Sequence, residues 1–473
     1  MPRFTATAGL LALATLAAAT EVKEVDVAVV GGGASGAYAA FRLQEDYGKS
    51  IALIEREQRL GGHVNSYRDP ATGENYESGV VAFADIGNAA DFFDRLGIER
   101  GPRGQPAVAT TYYDFKTGEE VDYTPASLTS MVAAIERFLV PVEKYEPLFQ
   151  GPGFFNFPAP EDIPEDLLLP FGEFLTKYDA EDAMPLIYSN TALGLGNVTN
   201  EVTLFALQAF GGANARGVVG RQPFFSLASG RVQDLYDAVG EVLGNSVLYG
   251  SNVASSKHTE KGVEVKVKDL ETGKITKVLA KKLLIAIEPS KNNLAPFGID
   301  ETAREVLSKF HFSAVYTGIV DNAGLEEGRS YFNMPSAAAP DHSLILPEAP
   351  NTPRIDWLGP GHKFRITLVG EEGLSAQGAK DMLQADFSTL IKAGVIDSEA
   401  DEKVSYVDFN THGPMHARAS AEDVRAGFIQ DLYALQGRQS TWWTGGAWAP
   451  GFQTLLWQFD DVILPKIVEE LEE

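Results

Sequence analysis

Hydrophobic and polar positions follow several rhythms along this chain. In VDVAVVGGGASGAYAAFRLQ, the residues Val25, Val27, Val29 and Val30 form a short β-branched run. Such a run suits a strand buried on both faces. Gly31 to Gly36 makes a turn. Ala37 to Tyr47 is predicted helical, with Ala40, Leu43 and Tyr47 on one face, and Gly48 ends it. Ser50 to Glu55 reads as a second strand. Strand, helix and strand in this order make a βαβ unit.

The pattern then changes. Residues 81–225 are rich in Phe, Pro and Tyr, with helical pieces such as SLTSMVAAIERFLVPVEKY and irregular loops such as GPGFFNFPAPEDIPED. From 226 to 296 an amphipathic helix, RVQDLYDAVGEVLG, precedes strands: SVLYGSNVASSKH, GVEVKVKD, Lys274 to Leu279, and LLIAIE. Residues 297–405 mix strands such as FSAVYTGIV and FRITLVG with a helix near 376–393. Residues 406–473 close with strand, glycine turn and helix. The expected architecture is α/β. One unit is assembled from segments 22–80, 226–296 and 406–473. A second, α+β unit is inserted as 81–225, mainly helical, and 297–405.

Composition narrows the function. The chain has 473 residues, 44% of them hydrophobic, enough for two packed units. A net charge of −26 repels phosphate backbones, which argues against nucleic acid as a partner. The absence of cysteine removes disulfides, thiolate nucleophiles and thiolate metal sites. At the N-terminus, Arg3 precedes an apolar run from Ala8 to Ala19 that ends in a small-residue cleavage pattern. Residues 1–19 therefore read as a secretory signal, too short to span a bilayer. The sequon Asn197-Val198-Thr199 is compatible with a secreted glycoprotein. No other stretch reads as a stable membrane span.

Gly31-x-Gly33-x-x-Gly36 lies between a strand and a helix, with Ser35 inside the turn. The first glycine permits the turn, the second lets backbone approach a pyrophosphate, and the third allows close helix–strand packing. The helix N-terminus then favours the negative charge. Glu55, 24 residues after Gly31, ends the next strand, where a carboxylate can accept ribose hydroxyls. Together these features predict a Rossmann-like dinucleotide site. Arg59-Leu60-Gly61-Gly62-His63-Val64-Asn65-Ser66 follows at once. A second glycine pair so close behind the ribose acid suits a cofactor extending past its pyrophosphate along the same wall. FAD fits this; a nicotinamide cofactor does not require it. Arg59 is a candidate to face phosphate.

The segment resembles the flavin-dependent amine-oxidase superfamily, whose signature is Arg-x-Gly-Gly-Arg-x-x-Ser/Thr. The match is at Arg59, Gly61, Gly62 and Ser66; the departure is His63, where the superfamily usually has Arg. Thr444-Gly445-Gly446-Ala447-Trp448, before a helix from about Phe452, resembles the superfamily's C-terminal flavin segment. Asn252-Val253-Ala254 matches the stretch that lines the adenine, with Val253 as the contact. FNTHGPMHARAS, YTGIVDNAG and the C-terminal stretch are similar to a branch that includes fungal β-cyclopiazonate dehydrogenase-like oxidoreductases and a bacterial polyunsaturated fatty-acid isomerase. The resemblance implies a Rossmann-like FAD domain built from the three segments and an FAD enzyme acting on a hydrophobic small molecule, such as a secondary metabolite, lipid or alkaloid.

Other residues offer two roles each. His63 either tunes the flavin or touches substrate, or else makes a structural hydrogen bond. Trp443, with Trp442, either walls the flavin or belongs to the core. Phe154, Phe155 and Phe157 either line a greasy tunnel or pack a helical domain. His412 and His416 flank Gly413-Pro414, which breaks the one-face helical spacing of a zinc pair, so a loop near the active site is expected and no metal. The superfamily lysine near the flavin has no counterpart in His311 to Val320; Lys309 stands just before it. Simple amine oxidation is therefore disfavoured. Hydride removal by an oxidase or dehydrogenase is the expectation. Double-bond isomerisation of a fatty-acid-like substrate, or a non-catalytic carrier, is the alternative.

Overall fold

A computed structural model describes residues 21–102, 104, 108–397 and 402–473. The expected signal at 1–19 lies outside them. Strand β1 (Glu21–Val30), helix α1 (Ala34–Glu45) and strand β2 (Ile51–Ile54) form the βαβ opening. β1 pairs in parallel with β2 on one side and with Ile275–Ile285 on the other. Val247–Leu248 extends the sheet beyond β2. Ile275–Ile285 is shared between two further partners. Its first half pairs antiparallel with Gly262–Asp269, which carries Ser251–Thr259 on its far edge. Its last three residues, Leu283 to Ile285, pair in parallel with Thr441–Trp443. Ile51 to Ile54 and Val27 to Val29 are buried, as apolar residues covered on both faces of a parallel sheet should be. The C-terminal helix Gln453–Glu472 packs on α1: Tyr38 stacks on Trp457 at 5.4 Å, and Trp457 Nε1 donates to the Ala34 carbonyl at 3.2 Å.

The second unit is built on a six-stranded sheet. Its order is Tyr406–Arg418, His311–Asp321, Lys363–Glu371, Asn351–Gly359, Arg329–Asn333, Ala109–Tyr113. All pairs are antiparallel except the last. Helix Ala376–Lys392 covers this sheet. Ser375 caps it by accepting from the Gly378 N–H, and Ala379, Leu383, Phe387 and Leu390 form its buried stripe. That stripe meets Ile355, Phe364, Ile366 and Leu368 in a core separate from that of the cofactor unit. The helical part of the insert centres on Leu128–Phe149, capped by Ser127 and continuous through Pro141 and Pro147.

Four boundaries differ from the sequence expectation. Residues 406–418, expected in the third cofactor segment, pair with His311–Asp321 in the second sheet. His412 and His416 therefore stand on a strand rather than a loop. Register shifts in that pairing absorb the Gly413-Pro414 break, and both Gly413 and His416 have positive φ. Residues 109–113, inside the segment expected to be mainly helical, form the far edge of the same sheet. Lys274 to Leu279 and LLIAIE, read as two strands, are one strand that changes partner midway. The run SVLYGSNVASSKH is instead broken at Tyr249-Gly250, where Gly250 takes φ +55°.

Candidate cofactor and active site

Two glycine turns lie back to back. Gly31 takes φ +97° and donates its N–H to the Ile54 carbonyl at 2.9 Å. Gly61, at φ +115°, donates to the Gly32 carbonyl at 2.8 Å. A Cβ on Gly62 would stand 2.9 Å from the Gly33 Cα, so the second pair is glycine because the first turn is pressed against it. Gly33 differs: a Cβ there would meet nothing nearer than the Gly62 Cα at 3.7 Å. Its freedom is not demanded by the protein, which leaves a ligand as the reason. Gly36 serves packing, since a Cβ would fall 1.8 Å from the Gly31 carbonyl oxygen.

The N-terminus of α1 carries no capping side chain and no acid in its first turn. The hydroxyl of Ser35 is buried there without a partner. An uncapped terminus, an orphan hydroxyl and an open approach at Gly33 fit a pyrophosphate. Glu55 is buried; its Oε2 accepts from the Gly32 N–H at 2.7 Å and its Oε1 from the Glu57 N–H at 2.8 Å. Burial raises its pKa despite these amides. The two bonds aim the carboxylate and leave lone pairs for ribose hydroxyls. Ser251 donates its N–H to the Glu55 carbonyl at 2.8 Å, which brings Val253, two residues on and buried, to the same end of the sheet.

The C-terminal segment joins this site through the sheet. The Thr444 N–H donates to the Ile285 carbonyl at 3.0 Å, and the next residue, Ala286, donates to Val30 at 2.9 Å. Gly445 takes φ +107° beside open space. Gly446 abuts Glu288, and Ala447 is buried. The Thr444 hydroxyl donates to the buried Asp460. Asp460 Oδ2, Thr454 Oγ1, Trp448 Nε1 and Glu288 Oε2 are all buried without partners. With Ser35, these orphans fit a large polar ligand held by both ends of the chain.

Arg59 does not present its fork to phosphate. Nη1 donates to Gln233 Oε1 at 2.9 Å and Nη2 to Asn65 Oδ1 at 2.8 Å. With Oδ1 turned to the arginine, the Asn65 amide nitrogen faces His412 Nε2 at 2.6 Å. It can only donate, so neutral His412 carries its proton on Nδ1. Thr317 Oγ1 lies 3.2 Å from the same Nε2. The His63 ring stacks on His412 at 4.5 Å, and a hydrogen bond from its imidazole to the His412 backbone favours its charged form. Burial outweighs this and pushes His63 down to about 4. Burial and the facing His63 and Arg59 charges hold His412 well below its ordinary value. His416 is pushed down to about 3 by burial and by Arg418. Arg418, itself buried, pairs with Glu201 at 3.0 Å and donates to Ser313 Oγ at 3.1 Å. A neutral imidazole group thus stands where the second glycine turn meets the second sheet.

Other candidates lie elsewhere. The Trp443 ring stacks on Trp448 at 5.6 Å, and its main chain is held at both ends by Gln436. Trp442 Nε1 reaches Glu470. Both are core residues of the C-terminal segment. Phe154 packs edge-on against Phe157 and Tyr433, and Phe155 stacks on Phe459. The phenylalanine cluster is packing. Lys309 turns to Asp423 and lies over the Phe428 ring. Among the described residues, no group of three or more His, Asp or Glu is placed to hold a metal, and no helix is long and apolar enough to cross a membrane. Sequence reasoning missed Asn65, Gln233, Thr317 and Glu288. Asn65 lay inside the second glycine motif and Thr317 inside YTGIVDNAG, but neither was given a role.

A family model described as an NAD(P)-binding Rossmann-like domain matches residues 29–96. β-Cyclopiazonate dehydrogenase of Aspergillus oryzae is 32% identical over 468 residues, covering 98% of this chain and 97% of the relative. The FAD-dependent oxidoreductase oblC of Cochliobolus heterostrophus is 33% identical over 460 residues, covering 94% and 92%. Among solved structures, a CLA-producing fatty acid isomerase from P. acnes superposes with a TM-score of 0.69 at 18% identity, covering 93% of this chain and 98% of the other. Putrescine oxidase bound to putrescine gives a TM-score of 0.63 at 18% identity, covering 95% and 100%. Those two likenesses show the fold. The two oxidoreductases, matched nearly end to end, show that this chain belongs to the FAD-dependent oxidoreductase family that contains β-cyclopiazonate dehydrogenase, an enzyme family with FAD as its cofactor.

Proposed function

We propose that this enzyme oxidises a hydrophobic small molecule, a secondary metabolite, lipid or alkaloid, as an oxidase or dehydrogenase. FAD, when bound, supplies a two-electron acceptor for a hydride leaving a substrate carbon. Gly31, Gly33, Ser35, Gly36, Glu55, Gly61, Gly62, Val253, Gly445, Gly446 and Ala447 are the residues proposed to hold it. The observation that carries the substrate reading is the uncharged group of His63, His412 and His416. A cationic site would repel positive charge developing on a carbon that loses hydride. Burial keeps all three imidazoles neutral and avoids that cost. His63, stacked on His412, is the imidazole of the group proposed to meet substrate. Arg59 and Asn65 hold His412 in one tautomer. The group's surroundings include Gly194 and Val315: a Cβ on Gly194 would lie 2.7 Å from His416 Nε2 and 3.3 Å from Val315 Cγ2. No lysine stands on His311–Asp321, in keeping with chemistry other than simple amine oxidation.

We also infer a secreted or secretory-lumen location from the leader at 1–19, with Asn197, exposed, as a glycan acceptor. Absorption spectroscopy under anaerobic conditions tests the reaction. Lasting bleaching of the flavin by an apolar member of a lipid and alkaloid panel is expected. Product without lasting bleaching would instead mean isomerisation. Bleaching only by small charged amines would overturn the substrate reading.

A further inference from the structure

Glu288 stands at the seam between the two ends of the chain. The stretch leading to it is wedged between both glycine turns. Ala286 N–H bonds the Val30 carbonyl, and Ile287 packs so closely on Gly31 that a Cβ there would lie 2.6 Å from Ile287 Cγ2. On the other side, a Cβ on Gly446 would lie 2.8 Å from Glu288 Oε1. The Glu288 main chain is fixed, its carbonyl accepting from the Ser290 N–H at 2.9 Å and from Asn293 Nδ2 at 2.9 Å. Its Oε2 is buried and has no partner in the protein. A carboxyl oxygen without a partner, held between two turns that both make room for a ligand, is itself made for that ligand.

We propose that Glu288 is a cofactor-binding residue whose carboxyl group hydrogen-bonds an acceptor oxygen of FAD where the Gly31 and Gly445-Gly446 turns meet. An ionised carboxylate accepts only, so the bond needs the protonated form. The surroundings favour that form. Burial holds the carboxyl up to about 8, and no charged side chain contributes. The Gly446 backbone that abuts the carboxyl, and the Ser290 N–H and Asn293 amide that bond the Glu288 carbonyl, are uncharged. Above that pH the group ionises, the bond is lost, and a negative charge faces an acceptor.

The test uses purified holoenzyme, read by its visible flavin spectrum and its melting temperature between pH 7 and 10. In wild type both change together, with a midpoint at 8 or above. Glu288→Gln keeps a donor that does not titrate, and is expected to hold spectrum and melting temperature flat over the same range. Glu288→Ala is expected to alter the flavin spectrum already at pH 7 and to melt several degrees lower. The proposal is overturned if Glu288→Gln titrates as wild type does, or if the Glu288→Ala spectrum matches wild type at every pH.

Discussion

Gly33 and Gly36 stand three residues apart and are glycines for opposite reasons. At Gly36 the protein itself forbids a side chain, because Cβ would overlap the Gly31 carbonyl. Gly36→Ala should destabilise the fold by about 3 kcal/mol or more, measured by denaturant unfolding. At Gly33 the neighbouring protein leaves room for a Cβ. Gly33→Val should fold yet lose flavin; circular dichroism with visible absorbance checks both, and a yellow variant would remove the pyrophosphate from this turn. Asn65→Leu should cut kcat by on the order of a hundredfold while flavin is retained, because His412 loses its fixed tautomer. Unchanged turnover would reduce Asn65 to packing. The first glycine turn was legible in the sequence because its spacing is local, Gly36 facing the Gly31 carbonyl five residues before it. Asn65 and Gln233 were not, because their partners His412 and Arg59 lie 347 and 174 residues away. The departure at His63, where the superfamily usually has Arg, drew attention to a residue that the structure stacks on His412. It gave no sign that a second histidine would stack on the first.

At the scale of elements, the strand Tyr406–Arg418 ties three parts together. Its His412 meets Asn65 beside the second glycine turn, its Arg418 meets Glu201 of the helical insert, and its backbone pairs with His311–Asp321. Glu201→Gln would leave the Arg418 charge buried and uncompensated, at a cost of about 3–5 kcal/mol in urea unfolding. Glu201→Gln with Arg418→Met should recover much of that loss. The histidines on and beside this strand set a pH dependence. Their folded pKa values lie below the ordinary 6.5, at about 4 for His63 and about 3 for His416. Between 6.5 and those values the unfolded chain binds protons that the folded chain excludes. Stability is therefore fully present above pH 6.5 and falls as pH drops towards 4, by up to about 1.4 kcal/mol per pH unit for each histidine. Melting temperatures at pH 7, 6 and 5 check this, and His416→Gln should flatten the slope. Sequence pattern found most of the elements. It misassigned this strand because Gly413-Pro414 reads as a break, whereas bulged pairing accommodates both residues.

At the scale of the whole molecule, the α/β class was legible in one stretch of thirty-odd residues, from Val25 to Glu55. The partition between the units was harder to read. Sheet membership is decided by which strands find one another, and Ile275–Ile285 finds three. Arg42 and Tyr38 of α1 both bond Asp461 of the closing helix, and Lys49 reaches Glu472. Neither unit is a continuous piece of chain. One consequence concerns synthesis. The parallel partner of Leu283 to Ile285 is Thr441–Trp443, and the helix that covers α1 follows it. A nascent chain must carry an unfinished central sheet through some hundred and fifty residues of translation, so the pocket for the prosthetic group is not walled on both sides until its closing strand has been made.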